Sequence, residues 1–231
     1  MRRVFHVERM SPRTRTALGG LVRSARTWLM RIAAVGPEDD LGRRFGAFGA
    51  GSCLTFPQGT IFGEDAIRIG RDTLVGPDVA LTVGMHPDQP RTAPTVLAIG
   101  DRCNIGRGSH IVAHRSIEIG DDVTTGPYVY VTDQNHAYDD PSKPVRAQWP
   151  SCEPVHIGDG CWLGVGAVVL PGTSLGRNVV VGANSVVRGS VPDHSVVAGV
   201  PAVVVRRLTP EGWDPPLRVL PDEPPPPDWD D

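Results

Sequence analysis

From Ile157 onward the chain places an aliphatic residue at every sixth position: Ile157, Leu163, Val169, Leu175, Val181 and Val187. Gly158, Gly164, Gly176 and Gly182 follow four of them. Earlier segments carry the same mark at Ile69-Gly70, Val75-Gly76, Ile99-Gly100, Ile105-Gly106, Ile111, Ile119-Gly120 and Thr125-Gly126. A period of six fits neither an α-helix nor a long alternating strand, whereas it fits a coil of three short flat sides with one hexad to a side. The aliphatic residue then points into a prism, and the glycine after it turns the corner. Four residues beyond each aliphatic stand Thr73, Val79, Cys103, Ser109, Val123, Val129, Cys161, Ala167, Thr173, Val179 and Ser185. All are small or β-branched, as a second inward position near a crowded axis requires. Cys103 and Cys161 are therefore expected as buried structural thiols.

The flanks read differently. Residues 11–35 carry Leu18, Leu21, Val22, Ala25, Trp28, Leu29 and Ile32 at helical spacing, with Ser11-Pro12 as cap and first turn and Gly36-Pro37 as the stop. Arginines 13, 15, 23, 26 and 31 decorate this helix, which suits a membrane interface; packing on its own domain or a neighbouring subunit is the plainer expectation. From Leu208 the chain turns rich in proline and acid, so an extended or disordered tail is expected over 208–231, with Trp213, Leu217 and Val219 able to dock it. Three regions result: 1–49 with the amphipathic helix, 50–207 with the repeats, and 208–231.

Composition adds mainly exclusions. A net charge of −3 over 231 residues gives no reason to expect a nucleic-acid partner. The first ten residues have arginines but no apolar stretch of a signal peptide, and no run reaches a membrane span. The four cysteines lack metal or redox spacing. A cytoplasmic protein is expected.

The [LIV]-G-x4 repeat over roughly 50–207 resembles the hexapeptide-repeat acyltransferases. The resemblance implies an all-β solenoid: a left-handed parallel β-helix of about six coils, paired as a homotrimer with active sites between subunits. Handedness comes from the resemblance alone, since ordinary parallel crossovers are right-handed.

Two stretches leave the six-residue phase, 84–96 and 132–154, and such excursions from a rigid scaffold are natural places for function. The second begins VTDQNHAYDD and returns as PVHIGDGCWLGVGAVVLPG. It is similar to the sugar O-acetyltransferases of the family, the maltose, galactoside and nodulation-factor class. His136 matches the family's catalytic histidine, which implies removal of a proton from an acceptor hydroxyl as that oxygen attacks the thioester of acyl-CoA. Imidazole suits the task because it exchanges protons near neutral pH. Asp133, Asp139, Asp140 or a backbone carbonyl is expected to hold its other nitrogen. Trp162 matches an aromatic beside the pantetheine arm, although subunit packing explains an outward indole nearly as well. The backbone near Gly164 and Val165 matches the oxyanion partner, Gly182 and Ala183 offer backbone to pantetheine, and Arg188 and Arg206 match basic residues near the nucleotide phosphates. Arg207 stands in where Val203 replaces an arginine of some relatives.

The acceptor is expected on the preceding coil, at Arg107, His110, His114 and Arg115, with His86 from the first excursion. Relatives acting on simple sugars carry asparagine and aspartate there, so a sugar or glycan hydroxyl is expected without its identity. Acetyl is the expected acyl group, and the basic face also suits succinyl. No metal is assigned. A zinc hydratase resembling γ-type carbonic anhydrase would need His110 and His114 with His86 or His136; the family's metal spacings differ, and the AGVPA segment at 198–202 favours CoA. A non-catalytic scaffold would leave His136 and Trp162 without purpose.

Overall fold

The computed structural model describes residues 11–216. The hexads wind into a left-handed parallel β-helix with three faces. The first face stacks Ala47–Phe48, Ile67–Ile69, Leu97–Ile99, Ile117–Ile119, Val155–Ile157, Ser174–Leu175 and Ser190–Val191. The second carries Cys53–Leu54, Leu74–Val75, Asn104–Ile105, Thr124–Thr125, Trp162–Leu163, Val180–Val181 and Ser195–Gly199. The third carries Ile61–Phe62, Ala80–Val83, His110–Ala113, Tyr130–Thr132, Val168–Val169 and Val186–Val187. Six complete coils and the start of a seventh result, as the repeats predict.

Register explains why a period of six is stable. Ile99, Ile119, Ile157 and Leu175 pair in succession on the first face, so equivalent aliphatics stack in a column about 4.8 Å apart. Parallel columns run Leu163, Val181, Val197 on the second face and Leu81, Ile111, Val131, Val169, Val187 on the third. The second inward set behaves as expected, from Thr73 and Ser109 to Val179 and Ser185, each at most 2% exposed. Burial pushes the thiol pKa of Cys103 up and that of Cys161 up to about 11, so neither is poised as a nucleophile.

The corner glycines serve a different purpose from the one expected. The positive-φ residue is not the glycine after the aliphatic but one two positions later, such as Asp122, Asn178 or Asn184. Gly120 is required because a Cβ there would lie 2.2 Å from the Asp159 carboxylate, and at Gly106 it would lie 2.3 Å from the carbonyl of Gly126. Close approach of successive coils selects these glycines.

Carboxylates fasten the first corner, between faces one and two. The N–H of Arg71 donates to Asp101, that of Asp101 to Asp121, that of Asp121 to Asp159, and that of Arg177 to Asp193, at 2.7–2.9 Å.

The N-terminal helix, Pro12–Ile32, starts as predicted with the Ser11 side chain accepting from the Thr14 N–H. It is not laid on its own domain: none of its residues is buried, and Leu21, Val22 and Trp28 are more than 60% exposed. Its C-terminal turns meet the prism, where Arg26, Leu29 and Met30 share a small cavity with Phe56 and Pro57. At the other end, Ala202–Thr209 runs antiparallel to Ser195–Gly199 and pairs with Gly212–Asp214, adding two strands to the second face. Ordered structure thus passes the boundary at 207: the alternating Val-Val-Val-Arg-Arg-Leu run finds an open sheet edge to extend. Residues 1–10 and the docking residues Leu217 and Val219 lie outside the described residues.

Candidate active site

Both excursions leave the third face, at the corner where the chain passes to the first face of the next coil. The exit strands, Ala80–Val83 and Tyr130–Thr132, flank His110–Ala113, so the two loops start two rungs, about 10 Å, apart. Between them the chain turns tightly at His114-Arg115-Ser116. Asp133 stabilises that turn: its fully buried carboxylate accepts the N–H groups of His114 (2.8 Å), Arg115 (2.7 Å) and Ser116 (2.7 Å).

Each loop is fastened from within. In the first, the Arg91 guanidinium reaches Asp65 and the carbonyls of Gln89 and Pro87, while Gln89 accepts the Met85 N–H. In the second, Gln134–Asn135 pairs antiparallel with Ser151–Cys152, and the Gln148 amide bonds the N–H and C=O of Asp140 and the C=O of Lys143. The Thr92 hydroxyl donates to the His114 carbonyl and pins the first loop to the turn beneath the second.

His136, exposed just beyond the short antiparallel strand, lines a cavity of about 500 Å³ between the loops, together with His86, Met85, Arg146, Gln148 and Trp149. Both departures from the hexad pattern therefore meet at this histidine. Of the acids expected to orient it, Asp133 is occupied by the 114–116 turn. Asp140 is held by Ser142 and Lys143, and those partners, the Ser142 hydroxyl foremost, lower its carboxyl pKa. No hydrogen bond reaches the His136 ring among the described residues.

The four residues expected to bind the acceptor do not gather. Arg107 stands at the corner between faces two and three, its guanidinium 5.8 Å from the Tyr128 ring centre, beside the end of the N-terminal helix. His110 projects from the third face between Ala80 and Tyr130. His114 and Arg115 line a second cavity of about 630 Å³ with Thr92, Thr95, Ser116 and Trp149. Sequence reasoning missed Trp149, which walls both cavities and is 72% exposed. An aromatic inside an otherwise polar excursion, RAQWPSC, was the available signal.

The cofactor candidates occupy another side of the prism. Trp162 points outward, 54% exposed, on the second face. Pairing continues from Trp162 to Val180, Val196 and Arg206, which places Arg206 three rungs, about 14 Å, along one outward column. At the adjoining corner, the N–H groups of Gly164 and Gly182 are taken by the carbonyls of Val181 and Val197. Those of Val165 and Ala183 have no hydrogen-bond acceptor among the described residues; the two residues stand one rung apart. The oxyanion candidate thus narrows to Val165. Arg188 follows Val187 at the loop-bearing corner, away from the Trp162 column. Neither Arg188 nor Arg206 has an ion-pair partner among the described residues. One face of the prism separates His136 from Val165, and the His136 cavity contains none of Trp162, Val165 or Ala183.

Among the described residues no three His, Cys, Asp or Glu side chains form a metal-holding group, and no helix is long and apolar enough to cross a membrane.

Comparisons with known proteins agree with this architecture. Residues 154–189 match the model of the bacterial transferase hexapeptide (six repeats), and 96–132 match that of the hexapeptide repeat of succinyl-transferase. The chain is 39% identical over 125 residues to WbbJ of Escherichia coli, named as a lipopolysaccharide biosynthesis O-acetyl transferase, covering 50% of this chain and 63% of that one. It is 31% identical over 133 residues to E. coli WcaF, named as a colanic acid biosynthesis acetyltransferase, covering 58% and 70%. The solved hexapeptide-repeat acetyltransferase VCA0836 of Vibrio cholerae, in complex with acetyl-CoA, is 28% identical with a TM-score of 0.51, covering 73% and 74%. The chain spans about half the length of several curated relatives it matches.

Proposed function

The chain belongs to the hexapeptide-repeat acyltransferase family, of the sugar O-acetyltransferase class, and from that premise we propose that it transfers an acetyl group from acetyl-CoA to a hydroxyl of a sugar or glycan in the cytoplasm. The observation that carries the reading is the meeting of both excursions around His136, which gives the expected base a concave site for an acceptor. The VCA0836 complex with acetyl-CoA supports the donor.

The separation of candidate groups supports a trimer with sites between subunits. The loop-bearing corner of one subunit brings His136 and, two coils further, Arg188. The second face and its corner on the neighbour bring Trp162 and Val165 at the next coil, then Ala183, then Arg206. Both series advance along the axis in the same order, reacting end first and phosphate end last. An extended CoA fits such a cleft, with its pantetheine arm along the Trp162–Arg206 column, the Ala183 N–H beside an amide, and arginines at the phosphates.

His136 takes the acceptor's proton as its oxygen attacks the thioester carbonyl carbon. The N–H of Val165 donates to the oxyanion that forms. Collapse breaks the carbon–sulfur bond, and the imidazolium returns the proton to the CoA thiolate. The products are the ester and free CoA, with no covalent enzyme intermediate.

Replacing His136 by alanine is expected to lower turnover by roughly a hundred- to ten-thousand-fold while leaving CoA affinity and assembly intact. Near-normal turnover would remove His136 from the mechanism. Light scattering is expected to report a trimer at micromolar concentration, and a stable monomer would end the intersubunit site.

A further inference from the structure

Trp149 has no part in the reaction described above, yet it is the shared wall of two cavities. On one side lies the His136 cavity of about 500 Å³; on the other lies the cavity of about 630 Å³ over the 114–116 turn. We infer that the two are neighbouring sugar subsites with Trp149 as the platform between them, so that the acceptor is an oligosaccharide or glycan chain rather than a monosaccharide. This rests on the acyltransferase reading above and names the substrate class.

Four observations support it. Each cavity falls within the range of small-molecule sites, so together they offer more room than one pyranose ring fills. The indole is 72% exposed and so accessible to a ligand, and a sugar ring offers an apolar face to stack on it. Trp149 is also held in place: the side chain of Gln148 before it bonds three backbone groups of its loop, and the His114 ring meets the indole edge-on at 6.2 Å. Finally, the second cavity has polar groups suited to hydroxyls. His114 is 7% exposed and its Nδ1 is buried without a partner, which leaves Nε2 as the ring's hydrogen-bonding edge. The Arg115 guanidinium makes one long bond, 3.4 Å, to the Cys152 carbonyl, so most of its donors are free for a ligand.

The test compares acceptors of increasing length: glucose to maltohexaose, and galactose to the β-1,4-galactan hexamer, each with acetyl-CoA. In the wild type, kcat/KM is expected to rise about tenfold or more between monomer and tetramer in at least one series, carried by KM. Trp149→Ala, at an exposed position, is expected to fold normally and to bring the tetramer-to-monomer ratio close to one. A flat length dependence in both series, or an equal loss for monomer and tetramer in the variant, overturns the second subsite. If no acetyl transfer occurs to any acceptor, the acyltransferase reading fails by itself. Calorimetric titration with the tetramers and monomers then decides the subsites: tighter tetramer binding lost in Trp149→Ala keeps them, and equal or absent binding removes them.

Discussion

Two corners of the same prism show how one scaffold serves two kinds of recognition. At the corner between faces two and three, the chain makes the same turn coil after coil, with Asp78, Gly108, Tyr128, Gly166 and Asn184 in the left-handed region. The Val165 and Ala183 N–H groups are thereby set at a fixed interval, which suits a long ligand read through backbone. At the corner between faces three and one, the turn stays tight in some coils and opens into long loops in two. There the repeat presents side chains, His86, His136 and Trp149, that a prism corner has no room to hold. Regular turns supply spacing, and irregular ones supply chemistry.

The sharpest way to break this contrast is at Asp133, which lets the irregular corner sit on the regular prism. Asp133→Ala removes the acceptor of three backbone N–H groups in a buried place. A loss of about 3 kcal/mol or more is expected, because each orphaned donor costs on the order of 1–3 kcal/mol. Calorimetry is expected to show a melting temperature lower by about 6 °C or more. CoA affinity is expected to fall less than transfer to the acceptor, because Asp133 supports the loop-bearing corner. Unchanged melting would show that solvent replaces the carboxylate.

A smaller effect tests the regular side. Arg188→Ala or Arg206→Ala is expected to weaken CoA about tenfold, the value of one charged hydrogen-bond set, and to weaken dephospho-CoA less. Equal losses for both ligands would mean that the arginines do not read the 3′-phosphate.

The contrast also marks what was legible in the sequence. Inward positions were, because a small prism admits only small or aliphatic groups at its axis and the period states which residues face it. The helix start was legible because Ser-Pro before an apolar stripe has one local solution. His136 was found through resemblance, and the structure gives it a cavity. The proposed acceptor set proved divided, with His114 and Arg115 in one cavity and Arg107 and His110 elsewhere, because a hexad position tells inward from outward but not which corner a residue reaches. Counting faces from Ile105 and Ile111 would have put Arg107 and His114 at different corners. The contacts between coils were not legible: the Asp-to-backbone ladder and the packing demand on Gly120 join residues about 20–40 apart whose pairing exists only once the coils stack. The strand pair through Gly212–Asp214 was hidden for the same reason, since its apolar residues gain a role only beside an open sheet edge.

The smallest expected effect concerns the carboxylates of the first corner, two of them in that ladder and Asp122 beside it on the Arg102 guanidinium. The Arg71 backbone N–H, helped by its guanidinium, lowers the pKa of Asp101; the Arg102 side chain lowers that of Asp122; and the Arg177 backbone N–H, followed by its side chain, lowers that of Asp193. A carboxyl with a lowered folded pKa binds fewer protons in the folded state than in the unfolded state. Its stabilisation is therefore present above the ordinary carboxylate value of about 3.9 and is lost as pH falls through the lower folded values. The melting temperature is expected to stay level from neutral pH to about pH 5 and to decline below about pH 4. All three groups are at the surface, so the decline attributable to them should be modest and should shrink as salt screens the arginines. An Asp101→Asn/Asp193→Asn double variant is expected to melt slightly lower at neutral pH and to lose part of the acid dependence. The backbone bonds should persist in part, because the Asn carbonyl still accepts. If wild type and variant decline in parallel below pH 4, the acid sensitivity belongs to other carboxylates and the ladder contributes geometry without charge.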